Sequence, residues 1–168
     1  DQQRLNALDV ALNNETSERE FYLEHARRTG NPLGKKMFLE IADDELEHYQ
    51  RLKELHEKWK SSQKWPESVP LVVRNTNVGR LLSVDRLIRE APSPKGDDDD
   101  LKAIEVATRF EAKGAEFYAG LRDAVSDPKE KAFFDLLARI EREHYLSLKD
   151  AEEYLKDPVS WLRRTERH

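Results

Sequence analysis

The sequence has no cysteine, which removes disulfides, thiol catalysis, zinc ribbons and cysteine-ligated iron clusters in one step. Any metal must therefore sit on carboxylate and imidazole. Glycine is scarce, at 6 in 168 residues, and aromatic residues make up only 8%, a balance that disfavours strands and tight-turn architectures. No apolar stretch approaches the roughly 20 residues needed to span a bilayer, and no signal-peptide pattern opens the chain, so a soluble, cytoplasmic protein with no membrane partner is expected. The net charge is −5 and the basic residues are scattered among acidic ones. Without a basic stripe there is no electrostatic footprint for nucleic acid.

What the sequence does contain is charge at helical spacing. Charged residues reach 38%, and Ala, Leu, Glu, Lys and Arg dominate, which favours long amphipathic helices. The length fits one domain over residues 1–168 with one sizeable core. Periodicity predicts helices over about 5–29, 33–60, 101–126 and 129–155, joined by a long crossover over 61–100. Gly30-Asn31-Pro32 and Asp127-Pro128 punctuate the two short connections. The crossover holds four of the seven prolines and a short apolar pattern from Val78 to Ile88 that predicts a small helix. Asp97 to Asp100 reads as a solvated charge run whose last members cap the third helix. The fourth helix is expected to stop before Asp157-Pro158, leaving a short tail with Trp161.

The second helix pair copies the first at a constant offset of 96 without a gap. Glu15 maps to Glu111, Glu20-Phe21-Tyr22 to Glu116-Phe117-Tyr118, Pro32 to Pro128, and Phe38 to Phe134. Ala42 maps to Ala138, and Glu45-x-Glu47-His48-Tyr49 to Glu141-x-Glu143-His144-Tyr145. Two hairpins related this way pack about a pseudo-twofold axis, and equivalent residues face one another across the core.

In the second helix, Phe38, Ile41, Ala42, Glu45, His48, Tyr49, Leu52, Leu55 and Trp59 fall on one stripe at three-and-four spacing, and the fourth helix repeats it through Glu141 and His144. Glu15 lies on the apolar face of the first helix and Glu111 on that of the third. Four carboxylates turned into a low-dielectric core repel one another and cost more than a marginal fold can bear, so they require cations. Two divalent ions match the four glutamates in charge, and two neutral imidazoles add a nitrogen ligand each. Glu and His three apart share a helix face, so each Glu-x-x-His pair is placed to clamp one metal while Glu15 and Glu111 complete or bridge the site. Oxygen and nitrogen donors of this kind suit iron, manganese or zinc.

These motifs, Glu15 followed by Phe21-Tyr22, Glu45-x-x-His48, Glu111 followed by Phe117-Tyr118, and Glu141-x-x-His144, resemble the di-iron domain of the rubrerythrin family within the ferritin-like superfamily. The resemblance covers the four helices. It implies an all-α, ferritin-like four-helix bundle of two pseudo-twofold-related hairpins, with two iron ions on Glu15, Glu45, His48, Glu111, Glu141 and His144. It further implies a peroxide reductase in oxidative-stress defence, which reduces hydrogen peroxide to water. A ferroxidase, a dioxygen-reducing oxidase and a non-catalytic iron-binding or sensing module are the alternatives. Many members carry a rubredoxin-like module on four cysteines; this sequence has none, so an external electron-donor protein is expected. Members of the family also place an extra glutamate three residues after the first one on the third helix, where this chain has Gly114. The matching position on the first helix is Glu18, a candidate seventh ligand or else a solvated charge.

Tyr22 and Tyr118 follow Glu15 and Glu111 by seven residues, close to two turns, where a phenol either hydrogen-bonds a metal-bound carboxylate or simply packs. Tyr49 and Tyr145 adjoin the histidines and read as packing residues. His25, His56 and His168 have no partner in the repeat and read as surface groups; Glu20, Glu47, Glu116 and Glu143 fall off the stripe and read as solvated. Apolar residues between Val69 and Ile88 offer an interface for a homodimer, with exchange of this connection as one form.

Overall fold

The computed structural model describes residues 2–62, 73, 76, 78–79 and 96–166. Among them are five helices and no strand: α1 (Gln2–Arg28), α2 (Pro32–Ser62), α3 (Asp98–Ala124), α4 (Pro128–Lys156) and α5 (Pro158–Glu166). α1 and α2 form one antiparallel hairpin, α3 and α4 a second, and the hairpins meet through α1 against α3 and α2 against α4. The expected helix at 78–88 and the expected dimer interface at 69–88 lie outside the described residues, apart from 73, 76, 78 and 79.

Each hairpin turn is built by the same chemistry. Pro32 and Pro128 open α2 and α4, where a missing N–H costs nothing and φ is already helical. The residue before each proline caps the helix: Asn31 Oδ1 accepts from Gly34 N at 3.0 Å, and Asp127 Oδ1 accepts from Lys129 N at 2.9 Å and Glu130 N at 3.1 Å. Asp157-Pro158 is a third copy of this device. The tail after α4 is accordingly a helix, α5, rather than the irregular segment expected. Asp157 accepts from Ser160 N at 3.1 Å, and Trp161 of α5 lies edge-on to Tyr154 and donates to Asp150 Oδ1 at 2.8 Å. α3 starts at Asp98 instead of 101 because Asp97 and Asp100 form a reciprocal capping box. Asp100 is consequently buried, and it accepts from Thr29 Oγ1 at 2.5 Å. This contact and the Arg28–Asp99 pair at 2.7 Å tie the end of α1 to the start of α3.

The apolar core is split into two clusters. One gathers Tyr22, Phe38, Ile41, Ile104, Leu148, Tyr154, Leu155 and Trp161; the other gathers Leu8, Leu52, Leu55, Phe133, Phe134, Leu137 and Ile140. Between them, at the level of residues 15, 45, 111 and 141, the bundle interior is polar. Two pieces of the crossover reach inward, with Val78 in the first cluster and Val73 in the second.

Candidate metal centre

The middle turn of each long helix contributes to one cluster. Glu15, Glu45, His48, Glu111, Glu141 and His144 are each no more than 1% exposed. They form two overlapping groups, Glu15, Glu45, His48 and Glu141 in one and Glu45, Glu111, Glu141 and His144 in the other, each with its ligand atoms within 4.8 Å of one another. His48 Nδ1 lies 3.4 Å from Glu15 Oε1 and 3.6 Å from Glu141 Oε1; His144 Nδ1 lies 3.3 Å from Glu111 Oε2 and 3.4 Å from Glu45 Oε1. Of the two roles expected for Glu15 and Glu111, completing or bridging the site, the grouping corresponds to the first. The carboxylates shared by both groups are Glu45 and Glu141, while Glu15 and Glu111 each belong to one group. Each shared glutamate reaches across to the histidine of the other hairpin, so neither hairpin completes a group alone.

Tyr22 Oη of α1 donates to Glu111 Oε1 on α3 at 2.6 Å, and Tyr118 Oη of α3 donates to Glu15 Oε1 on α1 at 2.5 Å. These crossed bonds place both tyrosines beside the cluster as buried donors, each fixing the unshared carboxylate of the opposite hairpin. Glu18 is only 8% exposed, so the solvated reading does not hold. Its carboxyl lies buried in the field of Glu111, Glu15 and His144. Gly114 has a steric reason: a Cβ there would stand 2.7 Å from Glu141 Oε2, so the space that a side chain would need is filled by a shared carboxylate.

Asp44 escaped the sequence reading. It is 2% exposed, sits 2.8 Å from His144 Nε2 and accepts from Thr76 Oγ1 at 2.5 Å. Being next to Glu45, it looked like another charge on a solvated helix edge; only the approach of α4 and residue 76 shows otherwise. The remaining groups sit away from the cluster. His25 packs on Phe21 and Phe38, half-buried rather than free on the surface, and His56 pairs with Asp9 Oδ1 at 2.9 Å. Glu20, Glu116 and Glu143 are exposed, whereas Glu47, Tyr49 and Tyr145 are half-buried; His168 lies outside the described residues.

The electrostatics of the cluster are those of a site built for cations. Burial, followed by the neighbouring carboxylates, holds Glu45 and Glu141 well above the ordinary carboxyl range, and the same two causes lift Glu18. Burial also works to raise Glu15 and Glu111, but His48 and His144 opposite them and the hydrogen bonds from Tyr118 and Tyr22 bring both below that range. Burial opposes a charge on His144, yet Glu111 and Asp44 outweigh it and push the imidazole up to about 10. Without a cation, the charge of the shared carboxylates is disfavoured.

Both oxygens of Glu45 and of Glu141, Glu15 Oε2 and both ring nitrogens of His48 are buried with no hydrogen-bond donor or acceptor satisfying them. Orphaned polar atoms of this number in one place are costly, and the carboxylate oxygens and His48 Nδ1 among them are ligand atoms grouped around the cluster. The donor set therefore fits a pair of metal ions.

The comparisons with known proteins agree. No curated protein matches the chain. A solved structure, a hypothetical protein from Pyrococcus furiosus, matches with a TM-score of 0.66 at 24% identity, over 94% of this chain and 90% of that one, which shows that the two share a fold. Residues 6–152 match the rubrerythrin family model. That span takes in both hairpins and every residue of the cluster, and on it the chain belongs to the rubrerythrin family.

Proposed function

We propose that this protein is a di-iron peroxide reductase fed by an external electron donor. The observation that carries the reading is the pair of buried four-residue groups sharing Glu45 and Glu141, whose donors would hold two ions. Glu15 and His48 would complete one position, Glu111 and His144 the other. Two irons held so supply two electrons in one event, which is what conversion of hydrogen peroxide to two waters requires along with two protons.

The two protons of each turnover come from solvent, and the chain's own groups hold the cluster in place. Tyr22 Oη and Tyr118 Oη keep their protons, because burial and then the glutamate beside each one (Glu111 and Glu15) raise both phenols well above their ordinary value. Each proton points at an unshared carboxylate at the rim of the cluster. The two apolar clusters above and below keep bulk water from the reacting volume. With no cysteine in these residues, the electrons come from a donor outside them, and the expected homodimer and cytoplasmic setting belong to the same proposal.

A second reading, a ferroxidase or dioxygen-reducing oxidase, is favoured by Gly114, where the rubrerythrin pattern has a further glutamate. Stopped-flow oxidation of the anaerobically loaded ferrous protein separates the two. Oxidation by hydrogen peroxide faster than by dioxygen, with peroxide consumed over many cycles when a reductant is present, is the expected result. Faster oxidation by dioxygen refutes the peroxidase, and consumption that stops after one equivalent per site points to a non-catalytic module.

A further inference from the structure

The repeat is nearly symmetric at the cluster, and its departures from symmetry all fall on one side. Glu15 and Glu111, Tyr22 and Tyr118, Glu45 and Glu141, and His48 and His144 are matched pairs at the offset of 96. Asp44 and Glu18 are not: their counterparts are Ile140, buried in an apolar cluster, and Gly114, where any side chain would strike Glu141. Both unmatched carboxylates come from the first hairpin, and Asp44 serves the position built on the second. Asp44 stands 2.8 Å from His144 Nε2, while Glu18 lies buried among the carboxylates of both positions, in the field of Glu111, Glu15 and His144.

The consequence for the two histidines is concrete. His144 Nε2–H is held by Asp44, itself held by Thr76, so the ring is fixed with Nδ1 toward Glu111 and Glu45. His48 also turns Nδ1 toward its carboxylates, but its Nε2 has no hydrogen-bond partner among the described residues. A carboxylate behind a metal-binding imidazole fixes the tautomer, orients the ring and raises its basicity; its loss commonly weakens metal binding about 10- to 100-fold.

We infer that the two metal positions are unequal: the Glu111–His144 position, supported by Asp44, takes its ion first and more tightly, and the Glu15–His48 position fills second. This rests on the cluster being a two-metal centre. Asp44 is a positioning residue acting through His144. The expected separation between the two binding steps is about 10- to 100-fold.

The test uses the metal-free full chain titrated anaerobically with Co(II), followed by calorimetry and by the visible absorption of the bound ion. It is combined with anomalous diffraction from crystals loaded with one equivalent per chain. Two steps, with the first ion located between Glu111 and His144, are expected. Asp44→Asn should weaken the tighter step about 10-fold or more and spare the looser one. Ile140→Asp should narrow the gap by strengthening the looser step. Two indistinguishable steps, a first ion at Glu15–His48, or an Asp44→Asn protein that loses both steps equally, as a merely structural role would produce, overturns the inference. Failure to bind Co(II) at all overturns the two-metal reading itself, a separate result.

Discussion

Gly114 lies on the partly exposed edge of α3, yet a single added methyl there should reach the centre of the cluster. A Cβ on residue 114 would stand 2.7 Å from Glu141 Oε2, 3.2 Å from Cδ and 3.6 Å from Cγ. The first of these contacts is closer than real side chains tolerate, so the Glu141 carboxylate must retreat by several tenths of an ångström or rotate away. The backbone at 114 is ordinary helix, and alanine in a helix interior is favoured over glycine by about 1 kcal/mol. The clashing atom is the far end of a flexible side chain, so the metal-free fold can keep most of that gain. Metal binding cannot, because Glu141 belongs to both four-residue groups.

Taking about 100-fold as the affinity lost, the upper figure for disturbing even an indirect metal partner, the metal-linked stabilisation falls by about 2.7 kcal/mol at saturating ion. In a chain of this size each kcal/mol moves the unfolding midpoint by about 2–4 °C. Gly114→Ala should therefore raise the midpoint of the metal-free protein by about 2–4 °C. It should also remove about 5–10 °C of the rise that Fe(II) or Co(II) gives the parent. Paired thermal melts by circular dichroism, with chelator and with metal under anaerobic conditions, read both quantities. Shifts of opposite sign are the signature of a displaced ligand. A variant with the parent's full metal-induced rise refutes the reasoning, as does one whose metal-free midpoint drops by as much as its metal-bound one.

Tyr22→Phe and Tyr118→Phe each remove the donor to one unshared carboxylate, Glu111 or Glu15. Each should weaken one metal position about 10-fold at a stability cost of about 1 kcal/mol, measurable by metal titration beside thermal melts; unchanged affinity in both would assign the tyrosines to packing. The metal-free protein should lose stability as pH rises. Glu45 and Glu141 sit above their ordinary value of 4.5 and His144 above its 6.5, at about 10. Their contributions are complete below the ordinary values and disappear as pH climbs through the folded ones. Glu15 and Glu111, held below 4.5, lose theirs only in acid. Denaturant melts between about pH 6 and pH 9.5 in chelator should thus show a decline, and a flat or rising profile contradicts it. Asp127→Ala removes the cap of α4 and should cost about 1 kcal/mol, lowering the midpoint of metal-free and metal-bound protein alike.

The bundle and its six buried donors were legible because the features that encode them are local and repeated. Three-and-four spacing places Glu45 and His48 on the stripe that holds Ile41 and Leu52, and the copy at Glu141 and His144 makes chance an unlikely author of either. What escaped were features set by the meeting of elements distant in sequence. Asp44 adjoins Glu45 and stands at the stripe's edge, three residues after Ile41 and four before His48, where its own charge argues for solvent; its burial comes from α4 and residue 76 closing over it. Glu18 follows Glu15 by one turn and reads equally as a rim charge, until α3 and Glu45 enclose it. The fifth helix was hidden differently: Asp157-Pro158 was read as the end of α4, although the same pairing of a capping side chain with a proline begins α2 and α4. Sequence symmetry thus exposes the shared framework of the site, since equivalent residues must face each other across the axis. The individuality of the two halves resides in positions where the repeat fails, at Glu18 with Gly114 and Asp44 with Ile140. A mismatch in an otherwise faithful repeat is informative only once the packing shows whether the odd residue turns inward, and here both odd carboxylates do, Asp44 against His144 and Glu18 among the glutamates.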